Sequence, residues 1–229
     1  MAAAAAARGW NCYMFDGPGQ GLTLFDRKVV MRPDWENVLP AVVDVLQARA
    51  DVDGDRMALM GRSLGGYLAP RAASGEHRFA ALVVDPGQHD IGASFWKRLP
   101  DGMMEHLDDA SPESEAKWQG LLDKPVMKRF FAPRMATHGT TTVRSYVQAM
   151  MDYRLDDLAA DITCPTLVCE NETDLVSGGQ GQALYDMLHC PKDYIRFTVA
   201  EGAGGHCEGV APNLFYGRAF DWLDTIIED

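Results

Sequence analysis

The chain has 229 residues, of which 47% are hydrophobic and 24% are charged. This length and composition fit a globular protein with one sizeable core and exclude a disordered chain. The formal net charge of −12, without a basic stripe along the sequence, would repel a polyanion. We therefore expect no nucleic-acid partner.

The cysteines and the apolar runs predict the cellular compartment of the protein. Five cysteines stand without CxxC spacing, and a chain of this size does not need disulfides, so we expect reduced thiols in the cytoplasm. No apolar run reaches the roughly 18 to 20 residues of a bilayer crossing, which argues against a membrane partner. The alanine run at residues 1–7 is typical of the last turns of a helix and is too short for a secretory signal.

Short apolar runs, each closed by turn residues, predict buried parallel strands. These strands are expected at residues 10–15, 57–60, 80–84, 166–169 and 194–199. Apolar residues at spacings of three and four predict helices at residues 34–50, 66–74, 181–188 and 213–227. Strands that alternate with helices indicate an α/β protein with a mostly parallel, doubly wound sheet, whose ligands bind at the carboxyl ends of the strands.

Residues 88–157 interrupt this alternation. They show no strand pattern and are rich in Met, Trp and Pro, so we interpret them as a helical cap inserted between two core segments, 1–87 and 158–229. Their aromatic side chains predict an apolar or aromatic substrate pocket. The residues that led to this prediction are Trp96, Trp118, Phe130, Phe131 and Tyr146.

Ser63 is the candidate nucleophile. It lies at the centre of Gly61-Arg62-Ser63-Leu64-Gly65, between a predicted strand and a predicted helix. A nucleophile on such a sharp strand-to-helix turn has a strained backbone, and the flanking glycines keep side chains from colliding there. A serine hydroxyl also needs a base within hydrogen-bonding reach and an acid that orients the base.

His206 is the candidate base. It lies in a glycine-rich loop after the last predicted strand, at the carboxyl edge of the sheet. His189 is better explained by a helix end, where an imidazole complements the dipole. The remaining histidines, His77, His89, His106 and His138, fall in loops or in the predicted cap.

Asp174 is the candidate acid. It shares the loop after strand 166–169 with Glu170 and Glu172, and it precedes Leu175 and Val176, which can anchor the loop against the core. Asp85, at the end of the preceding strand, is a rival for the same role. Its position before Pro86 is otherwise typical of a turn.

The backbone N–H of Leu64 is the candidate oxyanion donor, because it directly follows the nucleophile. The sequence does not offer a second donor, since no HGG-like segment is present. A metal site is a weak alternative, because the cysteines and histidines near residues 164–207 follow no known ligand spacing. No cofactor is expected.

Several segments together resemble the α/β-hydrolase family that includes 2,6-dihydroxypseudooxynicotine hydrolase and the fungal hydrolases that shorten polyketide chains. These segments are 15–21 (FDGPGQG), 60–67 (MGRSLGGY), 85–87 (DPG), 164–168 (CPTLV) and 201–206 (EGAGGH). The resemblance implies an α/β-hydrolase fold with a helical cap and a triad of Ser63, Asp174 and His206. It also implies hydrolysis of an ester-like bond, or of a carbon–carbon bond next to a ketone, in a small molecule.

Within this family, carbon–carbon cleavage requires a further carboxylate near the nucleophile, for which Asp85 and Asp90 are the candidates here. Two other interpretations stay open at this point. One is a peptidase of the acylaminoacyl type with the same triad, and the other is a catalytically silent remnant. The sequence carries no signal for an oligomeric state.

The front of the chain departs from the pattern of the family. Relatives carry an N-terminal helical region and three further strands before the equivalent of Arg8, and one of those strands would lie between strand 10–15 and the strand leading to Ser63. We therefore expect a sheet that lacks its N-terminal strands, in a fragment or a chain with a misplaced start.

Overall fold

The computed structural model describes residues 1–96, 99–177 and 179–227, without the side chains of Phe95 and Trp96. The chain divides into two compact units. We call residues 1–14, 34–90 and 155–229 the sheet unit, and residues 15–33 and 91–154 the helical unit. The two predicted core segments and the predicted cap follow a similar division.

The sheet unit contains one parallel sheet. In the described part of the chain its strands are β1 (Ala58–Arg62), β2 (Ala81–Asp85), β3 (Thr166–Asn171) and β4 (Lys192–Phe197). They pair in sequence order, with Gly61 opposite Val84, Val84 opposite Val168, and Val168 opposite Tyr194. All four strands therefore end at the same edge of the sheet.

Ten α-helices accompany the strands in the described residues. They are α1 (Ala2–Ala6), α2 (Gly21–Phe25), α3 (Leu39–Gln47), α4 (Gly65–Ala73), α5 (Ile91–Trp96), α6 (Pro112–Gln119), α7 (Pro125–His138), α8 (Val143–Met150), α9 (Gly181–Met187) and α10 (Pro212–Ile226). The predicted helix at 34–50 is shorter than expected. It starts as a separate turn at Trp35–Asn37, and α3 begins just before Pro40. Pro40 therefore lies in the first helical turn, where an N–H has no acceptor within the helix and its absence costs nothing.

Helices cover both faces of the sheet. On one face, α10 contributes Phe215, Ala219 and Leu223 to a core that includes Val83 and Leu167. On the other face, α4 packs against β1 and β2, and α9 packs against β3 and β4. Every residue of β2 is buried, which explains why a continuous apolar run marks this strand. The predicted α/β class and doubly wound parallel sheet are confirmed.

Residues 10–16 differ from the prediction of a strand. They are irregular, and no described segment pairs with them. The side chains of Tyr13, Met14 and Phe15 are 40%, 76% and 41% exposed. A strand needs a neighbouring ladder to satisfy its N–H and C=O groups, so apolar composition alone does not place this segment in the sheet.

The helical unit buries most of the aromatic residues that the sequence assigned to a pocket. Trp118, Phe131 and Tyr146 are at most 2% exposed, and the rings of Phe131 and Tyr146 meet edge to face at 6.0 Å. Phe130 is partly buried beneath the guanidinium of Arg134. These side chains fill the interior of the unit, so the prediction that they line a pocket is not supported for Trp118, Phe131 and Tyr146. The Trp96 side chain lies outside the described residues.

The boundaries of the helical unit also differ from the expected insertion. Residues 91–154 lie inside the predicted cap at 88–157, but residues 15–33 belong to the same unit. Backbone contacts inside the unit account for this, since the Met31 N–H donates to the Thr137 carbonyl. That the unit acts as a cap stays a prediction.

None of the helices in the described ranges combines the length and apolar character that a membrane crossing requires.

Candidate active site

Ser63 lies on the turn between β1 and α4. Its φ angle is +56°, in the left-handed region that residues with a Cβ avoid, and its side chain is exposed. The Ser63 N–H donates to the Asp85 carbonyl at 2.8 Å, which fixes the turn against the end of β2. A strained serine at such a strand-to-helix turn is the geometry of a nucleophile elbow.

Two glycines let the backbone segments around this turn approach closely. A Cβ on Gly61 would lie 2.0 Å from the carbonyl oxygen of Gly65, and a Cβ on Gly66 would lie 1.8 Å from that of Pro86. Gly65 differs, because a Cβ there would meet nothing within 4 Å. Gly61 and Gly66 are therefore the positions where a side chain would collide with the backbone, whereas the sequence motif indicated Gly61 and Gly65.

The three side chains selected from the sequence form one chain of hydrogen bonds. Ser63 Oγ lies 2.7 Å from His206 Nε2, and His206 Nδ1 lies 2.9 Å from Asp174 Oδ2. The imidazole is 29% exposed and the carboxylate 1% exposed. The arrangement suits proton transfer from the hydroxyl to the imidazole, while the buried carboxylate orients the ring.

The loop after β3 holds Asp174 as an ionised acceptor. Burial alone would raise the pKa of Asp174, but hydrogen bonds from His206, from Ser177 and from the Val176 N–H outweigh it and lower the pKa to about 2. Ser177 Oγ donates to Oδ2 at 2.7 Å. Asp174 therefore stays charged throughout the neutral pH range.

We expect Asp174→Asn to reduce the acid dependence of stability. Because the folded pKa of about 2 lies below the ordinary 3.8, the carboxylate stabilises the native state above pH 3.8, and this contribution is lost as the pH falls through about 2. The difference corresponds to about 2 kcal/mol. Urea unfolding between pH 7 and pH 2.5 should show a smaller decrease for the variant than for the wild type. If the free energies of unfolding of the two proteins changed equally with pH, the lowered pKa would not belong to Asp174.

The loop that carries His206 is fixed to the loop that carries Asp174. The Gly205 N–H donates to Thr173 Oγ1 at 3.1 Å, and Thr173 donates in turn to Asn171 Oδ1. Gly205 has a φ of +77°, a conformation that glycine adopts without strain. The glycine-rich sequence thus lets the loop turn back, so that the imidazole reaches Ser63.

The rival acids lie outside this chain of hydrogen bonds. Asp85 is fully buried and accepts from Arg62 Nε at 2.8 Å. Glu170 accepts from the Tyr194 hydroxyl, and Glu172 accepts from the Val199 N–H. The structure therefore brings Asp174, and not these three, to the imidazole.

The competing histidines have other surroundings. His77 and His138 contact the backbone carbonyls of Ser74 and Arg134. His189 is exposed just beyond the end of α9. His206 is the histidine that the structure places at Ser63 Oγ.

Leu64 directly follows Ser63 and is the N-cap residue of α4. The first N–H groups of a helix have no acceptor within the helix, so the backbone donor that the sequence predicted is at the start of a helix and beside the candidate nucleophile.

Arg62 and Glu208 are two residues that the sequence reasoning did not assign to the site. Arg62 occupies the variable position of the motif just before Ser63, and Glu208 is 0% exposed two residues after His206. The sequence does hold a signal for both residues. Each is a charged residue close to glycines in a turn at the carboxyl edge of the sheet, and a charged residue that becomes buried there needs a partner of opposite charge.

The five cysteines are free thiols. Among the described residues, no three His, Cys, Asp or Glu side chains are arranged to hold a metal ion.

Comparisons with known proteins show the family to which the sequence is similar. The model of the Alpha/beta hydrolase family matches residues 1–217. An alpha/beta hydrolase of Acremonium sp is 44% identical, over 94% of this chain and 50% of its own length. A hydrolase of Fusarium sp is 32% identical, over 97% of this chain and 57% of its own length. The 2,6-dihydropseudooxynicotine hydrolase of Paenarthrobacter nicotinovorans is 27% identical, over 96% of this chain and 51% of its own length.

Solved structures agree on the fold. The 2,6-dihydroxy-pseudo-oxynicotine hydrolase superimposes with a TM-score of 0.64 at 22% identity, over 93% of this chain and 52% of the other. An alpha/beta hydrolase of Penicillium sp. sh18 superimposes with a TM-score of 0.67 at 16% identity, over 99% of this chain and 83% of the other. The chain spans just over half the length of the first curated relatives it matches. The α/β-hydrolase fold and the family resemblance expected from the sequence are confirmed.

Proposed function

Because this chain belongs to the alpha/beta hydrolase family, we propose that it is a serine hydrolase in which Ser63 is the nucleophile, His206 the base and Asp174 the orienting acid. The observation that carries this proposal is the continuous hydrogen bonding from Ser63 Oγ through His206 to Asp174, at 2.7 and 2.9 Å. The strained backbone of Ser63 supports it, since its φ of +56° is held where a nucleophile is presented to substrate.

In the proposed reaction, His206 Nε2 takes the proton from Ser63 Oγ as the oxygen attacks a substrate carbonyl carbon. The Leu64 N–H donates to the developing oxyanion. His206 then passes the proton to the leaving group, and water attacks the acyl-enzyme with His206 again as base. Asp174, with its pKa lowered to about 2, stays ionised and stabilises the imidazolium without taking its proton.

We propose an ester, or a carbon–carbon bond next to a ketone, in an apolar or aromatic small molecule as the substrate. The support is the likeness to the 2,6-dihydropseudooxynicotine hydrolase and to the fungal hydrolases, and no cofactor enters this chemistry. Of the two candidates for the extra carboxylate of carbon–carbon cleavage, Asp85 is 0% exposed and its carboxylate accepts from Arg62, so Asp85 is not available to a substrate. Asp90 is only partly buried and remains the candidate for that role. A cytoplasmic location stays a prediction.

The test is covalent labelling with a fluorophosphonate probe, followed by mass spectrometry of the adduct. We expect the adduct on Ser63 and its loss in Ser63→Ala. Ser74→Ala, a serine at the end of the same helix α4, is the matched control and should label as the wild type does. Unchanged labelling of Ser63→Ala would overturn the proposal, and a wild type that folds but does not label would favour a silent remnant. A panel of matched ester and amide substrates then separates an esterase from a peptidase.

A further inference from the structure

Two buried carboxyl groups lie directly behind the proposed triad. Asp85, at the end of β2, and Glu208, two residues after His206, are both 0% exposed. We call them the buried carboxyl pair. Neither contacts the imidazole in the way Asp174 does, and the proposed reaction does not use either of them. Two buried acids beside one site need a physical account, because burial strongly disfavours ionised carboxylates.

Arg62 is the cation that faces the pair. Its Nε donates to Asp85 Oδ2 at 2.8 Å, and its Nη2 donates to the Cys207 carbonyl and lies 3.8 Å from Glu208 Oε2. The guanidinium stacks on the ring of Phe215 at 4.5 Å. One positive charge is thus shared between two acids, and Arg62 also holds the backbone next to His206.

The pair joins the three chain segments that carry the triad. The Asp85 carbonyl accepts from the Ser63 N–H. Glu208 Oε1 accepts from Asn171 Nδ2 at 3.3 Å, and Asn171 binds the loop that leads to Asp174. The two residues of the pair therefore contact the chain segments of all three proposed catalytic side chains, Asp85 through its backbone and Glu208 through its carboxyl group.

The turn that links His206 to Glu208 is strained. Cys207 and Glu208 have φ angles of +51° and +48°, values that cost free energy in any residue other than glycine and persist only where surrounding contacts impose them. Contacts that hold this turn include those of the Cys207 carbonyl with Arg62 and of the Glu208 carboxyl with Asn171. The Cys207 thiol also contacts the Asp85 carbonyl, and the Ala211 N–H donates to the Glu208 carbonyl. The strain makes the position of His206 depend on these contacts.

The charges balance if the pair keeps one proton. Two carboxylates beside one guanidinium would leave a net buried negative charge, whereas one shared proton leaves none. Asp85 Oδ1 and Glu208 Oε2 are buried and have no other hydrogen-bond partner in the described part of the chain, so one acid can donate to the other. Burial, reinforced by Asp85, raises the pKa of Glu208 to about 8, and burial also raises the pKa of Asp85.

We propose that protonated Glu208 is a positioning residue of the hydrolase, which with Asp85 and Arg62 holds the strained His206 turn against Ser63. This inference rests on the proposed function. When Glu208 loses its proton, a second negative charge is left beside Asp85. The turn then relaxes, and His206 Nε2 leaves hydrogen-bonding reach of Ser63 Oγ.

The titratable and polar groups that act on the pair come from several elements. They are Arg62 of β1, Cys169 and Asn171 of β3, His206 and Cys207 of the same turn, and Tyr216 and Arg218 of α10. Burial raises the pKa of the Cys169 and Cys207 thiols, so both remain neutral at pH 8. Glu208, with its pKa raised to about 8, changes charge just above neutrality.

The experiment compares the pH dependence of fluorophosphonate labelling, and of ester turnover, in the wild type, Glu208→Gln and Glu208→Ala. We expect the wild-type rate to fall reversibly as the pH rises through about 8. A glutamine amide can still donate to Asp85 but does not ionise, so Glu208→Gln should keep the rate at pH 7 within about threefold and lose the alkaline decrease. Glu208→Ala should lower kcat at pH 7 at least about tenfold with little change in KM, since it removes the contact and not the substrate site.

Controls separate this inference from the proposed function. Glu172→Gln alters an exposed carboxylate that contacts the Val199 backbone and should keep the wild-type pH profile. Thermal unfolding, which does not require activity, should show the wild type losing Tm relative to Glu208→Gln as the pH rises from 4.5 to about 8, with no further difference developing above that pH. An alkaline decrease that persists in Glu208→Gln while the wild type labels at pH 7 would overturn the inference and leave the proposed function intact. A wild type that does not label at any pH would overturn both.

Discussion

Replacing His206 with alanine is expected to lower kcat for ester hydrolysis by about 10⁶-fold, because Ser63 then has no base within reach and the members of a triad act as a unit. His206 Nε2 lies 2.7 Å from Ser63 Oγ. The variant should fold, since the imidazole is partly exposed and its removal leaves no cavity in the core. Turnover and burst-phase acylation measured at pH 7, with circular dichroism as a check on folding, test this expectation.

Two further variants make the interpretation specific. Asp174→Asn should lower kcat by about 10⁴-fold, because an amide favours the wrong imidazole tautomer while the geometry is kept. His189→Ala removes an exposed imidazole outside the triad and should leave kcat unchanged. An enzyme that keeps more than a tenth of its kcat without His206 would show that another group serves as the base.

Gly66→Ala is expected to destabilise the protein by at least about 3 kcal/mol, the upper range for overpacked sites. The new Cβ would lie 1.8 Å from the Pro86 carbonyl oxygen, and both partners are backbone, so neither can rotate away. Moving α4 to relieve the overlap would also shift Ser63. We expect a large decrease in the midpoint of urea unfolding, together with loss of labelling at temperatures where the variant is still folded.

Gly65→Ala is the matched control for this prediction. The two glycines are adjacent in α4 and belong to the same motif, but a Cβ on Gly65 meets nothing within 4 Å. Alanine also has the higher helix propensity, so Gly65→Ala should keep or slightly raise the free energy of unfolding. Equal destabilisation of the two variants would mean that the close approach of Gly66 to Pro86 is not the limiting contact.

The meeting of the three candidate side chains at one edge of the sheet was predictable from the sequence because it depends on short-range order. Ser63, Asp174 and His206 each follow an apolar run that ends in a turn, and parallel strands bring such ends to one edge of a sheet. No knowledge of the packing was needed for this step. The same reasoning located all four observed strands, with shifts of one or two residues at their ends.

Other features of the fold and of the site depend on contacts between distant segments, which local sequence patterns do not show. Residues 10–16 are as apolar as the true strands, but whether they pair depends on a neighbouring ladder. Trp118 and Phe131 were interpreted as pocket residues, because a sequence does not show whether an aromatic side chain faces a substrate or a core. The proposed role of Glu208 depends on Asp85 and Arg62, which are far from it in the sequence. The spacing of residues along the chain therefore does not identify it.

The parallel pairing of β2 with β3 has a consequence for the order of folding. The whole of residues 86–165 lies between these neighbouring strands, and closing so long a loop has an entropic cost before any ladder contact forms. Ser63 and His206 are 143 positions apart and lie on opposite sides of that gap. Reactivity of Ser63 therefore requires this long-range closure, and a refolding experiment that follows probe uptake would time it.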